Sequence, residues 1–338
     1  MDLTLRSSLT QVLSIDDSSQ IGYARRIAQT LAERCGFDAT DAGRVALIVT
    51  ELASNILKHA QRGELHLRVL PGGQQAGIEI LAVDRGPGFD LHLCMTDGFS
   101  SQGTQGIGLG AIFRQAQVFD VHSDDRGSVV LARCYSRTDK VQDLRFGVSQ
   151  HSLRDDPACG DVWGLTIAGS RISALMIDGL GHGEEAEAAG LAGAAVFHQQ
   201  PFASPPVLLD DMHVAMRGTR GGAVAISQFD ASEGRLQFLG IGNIGASLID
   251  VEKSRGLTSH PGIVGLQYRK PLAFDYPQST GQLLVLYSDG LQSRWSLGDY
   301  PGLRYRHPAV IAALLHRDFC RGRDDVTVMT IALESAHA

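Results

Sequence analysis

The stretch that most constrains the fold covers residues 38–60, "DATDAGRVALIVTELASNILKHA". At ~100° per residue, Val45, Ile48, Val49, Leu52 and Ile56 form one apolar stripe of a helix. Glu51, Asn55 and Lys58 share the flank beside that stripe. Such a helix lays one face on a sheet and turns a polar strip along its edge. By itself the strip reads as ordinary solvated helix surface, so its meaning rests on what surrounds it in the chain.

The neighbouring segments complete an α/β set. Residues 3–15 alternate as a strand, and "SSQ" opens a helix with Ile21, Ala24, Ala28 and Leu31 at helical spacing, ending at Gly36. Runs at 64–70 and 77–83 predict a hairpin around "PGGQQA". The second run ends in "DRGPGF", which sets Asp84 directly after a strand, with Gly86 and Gly88 able to turn sharply and approach a ligand. A Gly/Ser/Thr-rich loop over 98–106 leads to a helix at 107–117. That helix opens with "GIGLGAI", so Gly106, Gly108 and Gly110 stand where unpaired N–H groups favour phosphate. Strands at 118–123 and 128–134 close the set, and the polar segment 136–143 reads as a linker between domains of residues 1–135 and 144–338.

After the linker the pattern changes. Strands are expected at 144–151, 162–168, 171–177, 222–230, 234–241, 245–250, 282–288 and 325–332, with helices at 184–200 and 205–217. The short connections make this an α+β unit of mostly antiparallel strands. Acidic residues recur at strand ends: Asp161 in "CGDVW", Asp178 in "MIDGLGHG", Asp289 in "LVLYSDGL", and Asp324 with Asp325 in "GRDDVTVM". Singly, each reads as a turn or a loop cap. Together they supply the hard oxygen ligands that a pair of Mg²⁺ or Mn²⁺ ions needs. His182 has no second His or Cys at zinc-binding spacing and reads as shaping its turn.

Bulk properties exclude other classes. The net charge is -7 with signs interspersed, so no basic stripe suits nucleic acid or an acidic membrane. No run approaches the ~20 apolar residues of a membrane span, and the N-terminus lacks a cationic segment followed by an apolar core. Five scattered cysteines, never spaced CxxC, argue against a disulfide framework or a zinc knuckle. The expectation is a cytoplasmic protein. Glycine is in excess at 39 of 338 residues, against the usual ~7 %, and much of it stands beside aspartate.

The ordered set "ELASN", "DRGPGF" and "GIGLG" resembles the GHKL ATPase family over about residues 10–135, and within it the small serine kinases of bacterial sigma-factor control. The resemblance implies a Bergerat-type α/β sandwich with helices on one face of a mixed sheet, binding ATP with Mg²⁺. It makes Asn55 the residue that holds the magnesium, Asp84 the acceptor of the adenine amino group, loop 98–106 the lid, and Glu51 the base toward an attacking hydroxyl. Lys58, Gly86, Gly88, Gly106, Gly108 and Gly110 would line the same nucleotide site.

Residues 144–333, with "TRGGAVAISQFD", "GIGNIGASLI" and "PGIVG", resemble the PPM (PP2C-like) metal-dependent serine/threonine phosphatases of the sporulation-type branch. The resemblance implies an α-β-β-α sandwich with two Mn²⁺ or Mg²⁺ ions. Asp178 and the Gly179 carbonyl would bridge them, Asp289 and Asp324 would complete the ligand set, and Asp161 would help hold metal-bound waters. No arginine in the sequence stands out as a phosphate clamp. Together the two halves imply a bifunctional regulator of a partner-switching pathway. Its substrates would be STAS-domain antagonists, with a sigma or anti-sigma factor as a further partner. The alternative is a phosphatase whose first half only binds nucleotide or a partner.

Overall fold

The alternation over residues 3–15 predicts one strand, but the chain divides it. β1 (Asp2–Arg6) pairs antiparallel with a strand of the second half, while β2 (Gln11–Ile15) joins the first-half sheet. The polar run Ser7, Ser8 and Thr10 separates two short apolar edges, Leu3 with Leu5 and Leu13 with Ile15, and each edge is buried. The computed structural model describes residues 2–70, 76–91, 108–136, 145–251 and 253–334. It separates into a unit of Thr10–Arg145 with Ser296–Leu314, and a unit of Met1–Leu9, Phe146–Trp295 and Leu315–Ala338. Contiguous domains at 1–135 and 144–338 therefore differ from these units by two pieces, each placed by its own bonding. β1 completes the edge of a sheet, and in the Ser296–Leu314 segment Arg306 Nη1 donates to Asp120 Oδ1 (3.3 Å) while Arg126 lies over the Tyr300 ring at 3.8 Å. Most of the segment read as a linker, 137–143, lies outside the described residues.

The unit built on Thr10–Arg145 contains α1 (Ser18–Arg34), α2 (Ala39–Asn55), β3 (Gly63–Leu70), β4 (Gly77–Asp84), α3 (Leu109–Gln115), β5 (Val118–Asp124) and β6 (Gly127–Cys134). Its sheet runs β2-β3-β4-β6-β5. Every pairing of this sheet among the described residues is antiparallel, where a mixed sheet is expected, because the β3–β4 and β5–β6 pairs are hairpins and α3 returns the chain to the far edge. Leu65, Leu67, Ile78, Ile80, Ala82, Val130 and Ala132 share one core with Ala24, Ala28 and Ala32 of α1 and the expected stripe of α2. Three alanines at helical spacing let α1 lie close to its neighbour. Capping fixes where the helices begin: Ser19 N donates to Asp17 Oδ1 (2.7 Å), Asp17 N to Gln20 Oε1 (3.0 Å), and Asp41 N to Asp38 Oδ1 (2.7 Å). Arg44, buried on α2, pairs with Asp41 and donates to the carbonyls of Gln115 (2.8 Å) and Tyr135 (2.6 Å). These bonds hold α2 against the end of α3 and the strand beyond it.

The second unit has two sheets. β7 (Phe146–His151), β8 (Asp161–Ala168), β9 (Arg171–Gly179), β10 (Gly222–Asp230), β11 (Arg235–Ile241) and β12 (Gly245–Ile249) supply most of them. Short strands follow: β13 (Ser254–Gly256), β14 (Ser259–His260), β15 (Gly262–Ile263), β16 (Gln267–Tyr268) and β17 (Phe274–Tyr276). Then come β18 (Leu283–Tyr287) and β19 (Val326–Ala332). One sheet runs β1-β8-β9-β10-β11-β14 with β17 on β11, and the other β13-β12-β18-β19-β7. α4 (Glu184–Gln199) and α5 (Pro205–Ala215) cover the first sheet through Val162, Leu175, Ile177, Phe197, Leu208, Met212 and Val224. Trp163, one residue on from Val162, points to the opposite face. Its indole donates to Gln150 Oε1 on β7 (2.9 Å), and Gln150 Nε2 donates to the Asp161 carbonyl (2.6 Å). These bonds staple the sheets face to face at the strand ends that carry the aspartates. One helix is absent from the expected set: α6 (Pro308–Phe319).

Candidate functional sites

α2 delivers Glu51 and Asn55 one turn apart on its last turns, both half-buried. The helical spacing over 38–60 predicts one continuous α-helix. The structure instead widens after Asn55 into a π turn over Ile56–Ala60, ended by Gln61 at φ 65°. The wider turn changes the angle at which exposed Lys58 leaves the helix. Burial raises the Glu51 carboxyl above its ordinary value, and the nearby Lys58 charge opposes that shift. This polar flank holds a carboxylate and an ammonium within electrostatic reach.

Asp84, the last residue of β4, is set by its own loop and by a neighbouring strand. Gly86 N donates to Asp84 Oδ1 (2.8 Å), Ser128 N reaches the same oxygen (3.3 Å), and the Ser128 hydroxyl donates to Oδ2. A Cβ on Gly86 would stand 2.8 Å from Ala60 Cβ, so the loop after β4 lies on the π turn that follows Asn55. Gly88 has φ +70°, and a Cβ there would meet the Asp124 carbonyl at 2.1 Å. Backbone freedom at Gly88 thus brings "DRGPGF" against the β5–β6 hairpin. Gly108 caps α3 and Gly110 is buried in its first turn. Gly106 and loop 98–106 lie outside the described residues.

In the other unit, Asp161 begins β8 and Asp178 lies near the end of β9, directly opposite in the antiparallel register. Asp289 follows β18, and Asp324 precedes β19. Burial, then the charges of Asp289, Asp324 and Asp325, push the Asp178 carboxyl up to about 7. Asp161 is raised well above the carboxylate range, first by burial and then by Asp178, while the hydrogen bond from Ser288 opposes the shift. The Ser288 hydroxyl donates to Asp161 Oδ2 at 2.6 Å. Asp324 is also raised, chiefly by burial, with His182 opposing. His182 therefore stands within electrostatic range of the cluster.

Asp324 and Asp325 prove to have different tasks. Asp325 is buried and accepts Leu153 N on Oδ1 and Gly160 N on Oδ2, both at 2.6 Å, so both oxygens tie loops together. Asp324 keeps a half-exposed carboxylate. Among the described residues no group of three His, Cys, Asp or Glu side chains closes around a single point. The donor set nonetheless fits hard divalent cations: it consists of carboxylates whose mutual repulsion a cation would relieve. Asp178, Asp289, Asp324 and the Gly179 carbonyl are the groups that would hold them.

Two positioning residues carry no spacing signal in the sequence. One is Ser128, on Asp84. The other is Asn243, whose Nδ2 donates to Asp289 Oδ2 at 2.6 Å. Only the pairing of distant segments reveals either.

Residues 16–134 match the histidine kinase-like ATPase domain family. Over 101 residues the chain is 34% identical to the serine/threonine-protein kinase RsbT of Bacillus subtilis (strain 168), covering 30% of this chain and 76% of that kinase. A structure reported under "The bacterial stressosome: a modular system that has been adapted to control secondary messenger signaling" superposes with a TM-score of 0.52 at 25% identity, over 56% of this chain and 99% of its own. RsbX in complex with magnesium superposes at 0.49 and 18% identity, over 54% of this chain and 92% of its own.

Proposed function

Because this chain belongs to the family of RsbT-like serine/threonine kinases within the histidine kinase-like ATPases, and carries strand-end aspartates in its other unit, we propose that it joins a kinase segment to a PP2C-like phosphatase domain and both adds and removes phosphate on a switch protein. The observation that carries the proposal is the presence in one chain of two sites: a burial-raised Glu51 one turn from Asn55, and a cluster of aspartates at strand ends.

In the kinase half, Asp84 would accept the adenine amino group and Asn55 would hold the magnesium ion that accompanies ATP. Gly86, Gly88, Gly108 and Gly110 let the backbone approach the nucleotide, and Lys58 lines the site. Glu51 accepts the proton of the serine hydroxyl as it attacks the γ-phosphorus, and the ADP oxygen leaves with the bonding pair. A carboxylate raised by burial is a better base than a solvated one, because its affinity for the proton is higher. The remainder of the reaction is positioning and charge neutralisation.

In the phosphatase half, Asp178, the Gly179 carbonyl, Asp289 and Asp324 would hold two Mn²⁺ or Mg²⁺ ions, which when bound would supply an acidified water and neutralise phosphoryl charge. Asp161, fixed by Ser288, accepts hydrogen bonds from water at the floor of the cluster, and Asn243 fixes the rotamer of Asp289. The substrates are serines and phosphoserines on a STAS-domain antagonist, with a sigma or anti-sigma factor as the downstream partner. The setting we propose is cytoplasmic; the four described cysteines are free thiols, and no described helix is long and apolar enough to cross a membrane.

The test uses the full chain, γ-labelled ATP, magnesium and a purified STAS-domain protein. Label should enter a serine, fail to enter with Glu51→Ala, and be released on adding manganese unless Asp289→Asn is present. Full-rate transfer by Glu51→Ala would remove Glu51 from its role. Tight ATP binding without transfer to any STAS protein would make the first half a binding module.

A further inference from the structure

We propose that Arg220 is the phosphate clamp of the acid cluster, gripping the non-bridging oxygens of the incoming phosphoserine; this rests on the phosphatase reading above. A Cβ on Gly181 would stand 2.8 Å from Arg220 Nη1, so the guanidinium lies against the loop that begins at Asp178 and carries Gly179 and His182. Beside a cluster of carboxylates that would take up divalent cations, a guanidinium can grip a phosphomonoester bidentately. Arg220 is a guanidinium placed at the lip of the Asp178 loop. Arg321, by contrast, spends Nε on the Leu291 carbonyl.

The base of Arg220 is rigid. Thr219 Oγ1 donates to the Met216 carbonyl (2.6 Å) and accepts from Gly221 N (3.0 Å). Leu180 N donates to the Gly221 carbonyl (3.0 Å), and Gly222 exchanges two bonds with Val264, at 3.0 and 2.9 Å. The turn before β10 is thereby locked to the Asp178 loop on one side and to the root of "PGIVG" on the other, which pre-organises the cation above it.

The tip, by contrast, is held only by an exchangeable partner. Arg220 Nη2 pairs with Glu185 Oε2, and the two side chains are 46% and 71% exposed. An ion pair so exposed contributes little to stability. A phosphate offers the same fork of donors a doubly charged, bidentate acceptor and displaces the carboxylate readily. Glu185 therefore parks the guanidinium in the absence of substrate and competes weakly with it.

The experiment titrates inorganic phosphate into the manganese-loaded full chain by calorimetry, alongside manganese titration and steady-state hydrolysis of a phosphoserine peptide. Charged hydrogen bonds of this kind set the scale: Arg220→Ala should weaken phosphate binding and raise KM by about 10- to 100-fold, with kcat within a few-fold and manganese affinity unchanged. Arg220→Lys should recover part of the loss, and Glu185→Gln should bind phosphate as well as or better than the parent. Unchanged phosphate affinity and KM in Arg220→Ala, or a parent chain that binds no phosphate, overturns the clamp. If the parent hydrolyses nothing yet binds phosphate in an Arg220-dependent way, the phosphatase reading fails and the clamp stands.

Discussion

Asp161 and Asp178 are direct cross-strand partners on β8 and β9, two carboxylates at one register position of an antiparallel pair. Like charges so placed oppose folding unless one is neutral or a cation lies between them. Asp178 is pushed up to about 7 from 3.8, first by burial and then by its acidic neighbours. A carboxyl raised in the fold contributes stability that is complete below about pH 4 and is lost as the pH rises through about 7. In chelator, the unfolding temperature of the parent should therefore fall relative to Asp178→Asn between about pH 4 and 7, and manganese should reverse the fall in the parent alone. Parallel curves for the two proteins by scanning calorimetry would contradict this.

Asn243 Nδ2 holds Asp289 Oδ2 at 2.6 Å, which orients a carboxylate expected to bind metal. Removing such a partner typically costs about 10- to 100-fold in metal affinity. Asn243→Ala should weaken manganese binding by that order in calorimetric titration, while circular dichroism and the metal-free unfolding temperature stay near the parent values.

Lys58 works against burial at Glu51, so the ammonium keeps the base ionised to lower pH. Lys58→Ala removes that opposition and lets the Glu51 pKa rise further. The acidic limb of the kinase pH profile should move to higher pH, with little change on its alkaline side. A limb that stays in place or moves to lower pH would separate the two residues.

Local pattern pointed to the candidate sites because the residues proposed for them stand in short segments. The flank of α2, the strand-end Asp84 and the Asp-Gly steps each sit at a period or boundary that the backbone enforces. Sheet membership is not local: the alternation of residues 3–15 runs through Ser7–Thr10 without a break, and only the available edge of β8 separates β1 from β2. α6 was hidden for another reason. Ala309, Val310, Ile311, Ala312, Ala313, Leu314 and Leu315 are all buried, so the helix has no polar face and no amphipathic period. Asp324 and Asp325 are identical by sequence, and only the amides of Leu153 and Gly160 show which one is committed to structure.

Gly88 tests how tightly the Asp84 loop depends on backbone freedom. At φ +70°, with the Asp124 carbonyl 2.1 Å from where a Cβ would stand, alanine must both strain the backbone and push the β5–β6 hairpin away. The combined cost should be about 2 kcal/mol or more. Gly88→Ala should lower the unfolding temperature and weaken ATP binding together, because the same hairpin carries Ser128 onto Asp84. Normal stability with normal ATP affinity would place the loop elsewhere.

Asp120 anchors the Ser296–Leu314 segment to β5. Its carboxylate accepts the His307 amide, and Oδ1 also accepts Arg306 Nη1 at 3.3 Å. His307 is buried just before α6, and its Nδ1 accepts the Ala309 amide at 3.0 Å, so Asp120 fixes the residue that starts the helix. Losing a charged acceptor from a buried amide costs about 1–3 kcal/mol, enough to raise local opening by roughly an order of magnitude or more. Asp120→Ala should therefore speed amide exchange over residues 303–311 by about tenfold or more, and Asp120→Asn, which keeps one oxygen, should do so less. Nucleotide affinity should stay near the parent value, since Asp120 faces the segment and makes no described bond to Asp84. Uniform exchange across the three proteins would mean that the buried side chains of Leu303, Ala309, Val310 and Ile311 hold the segment without the carboxylate.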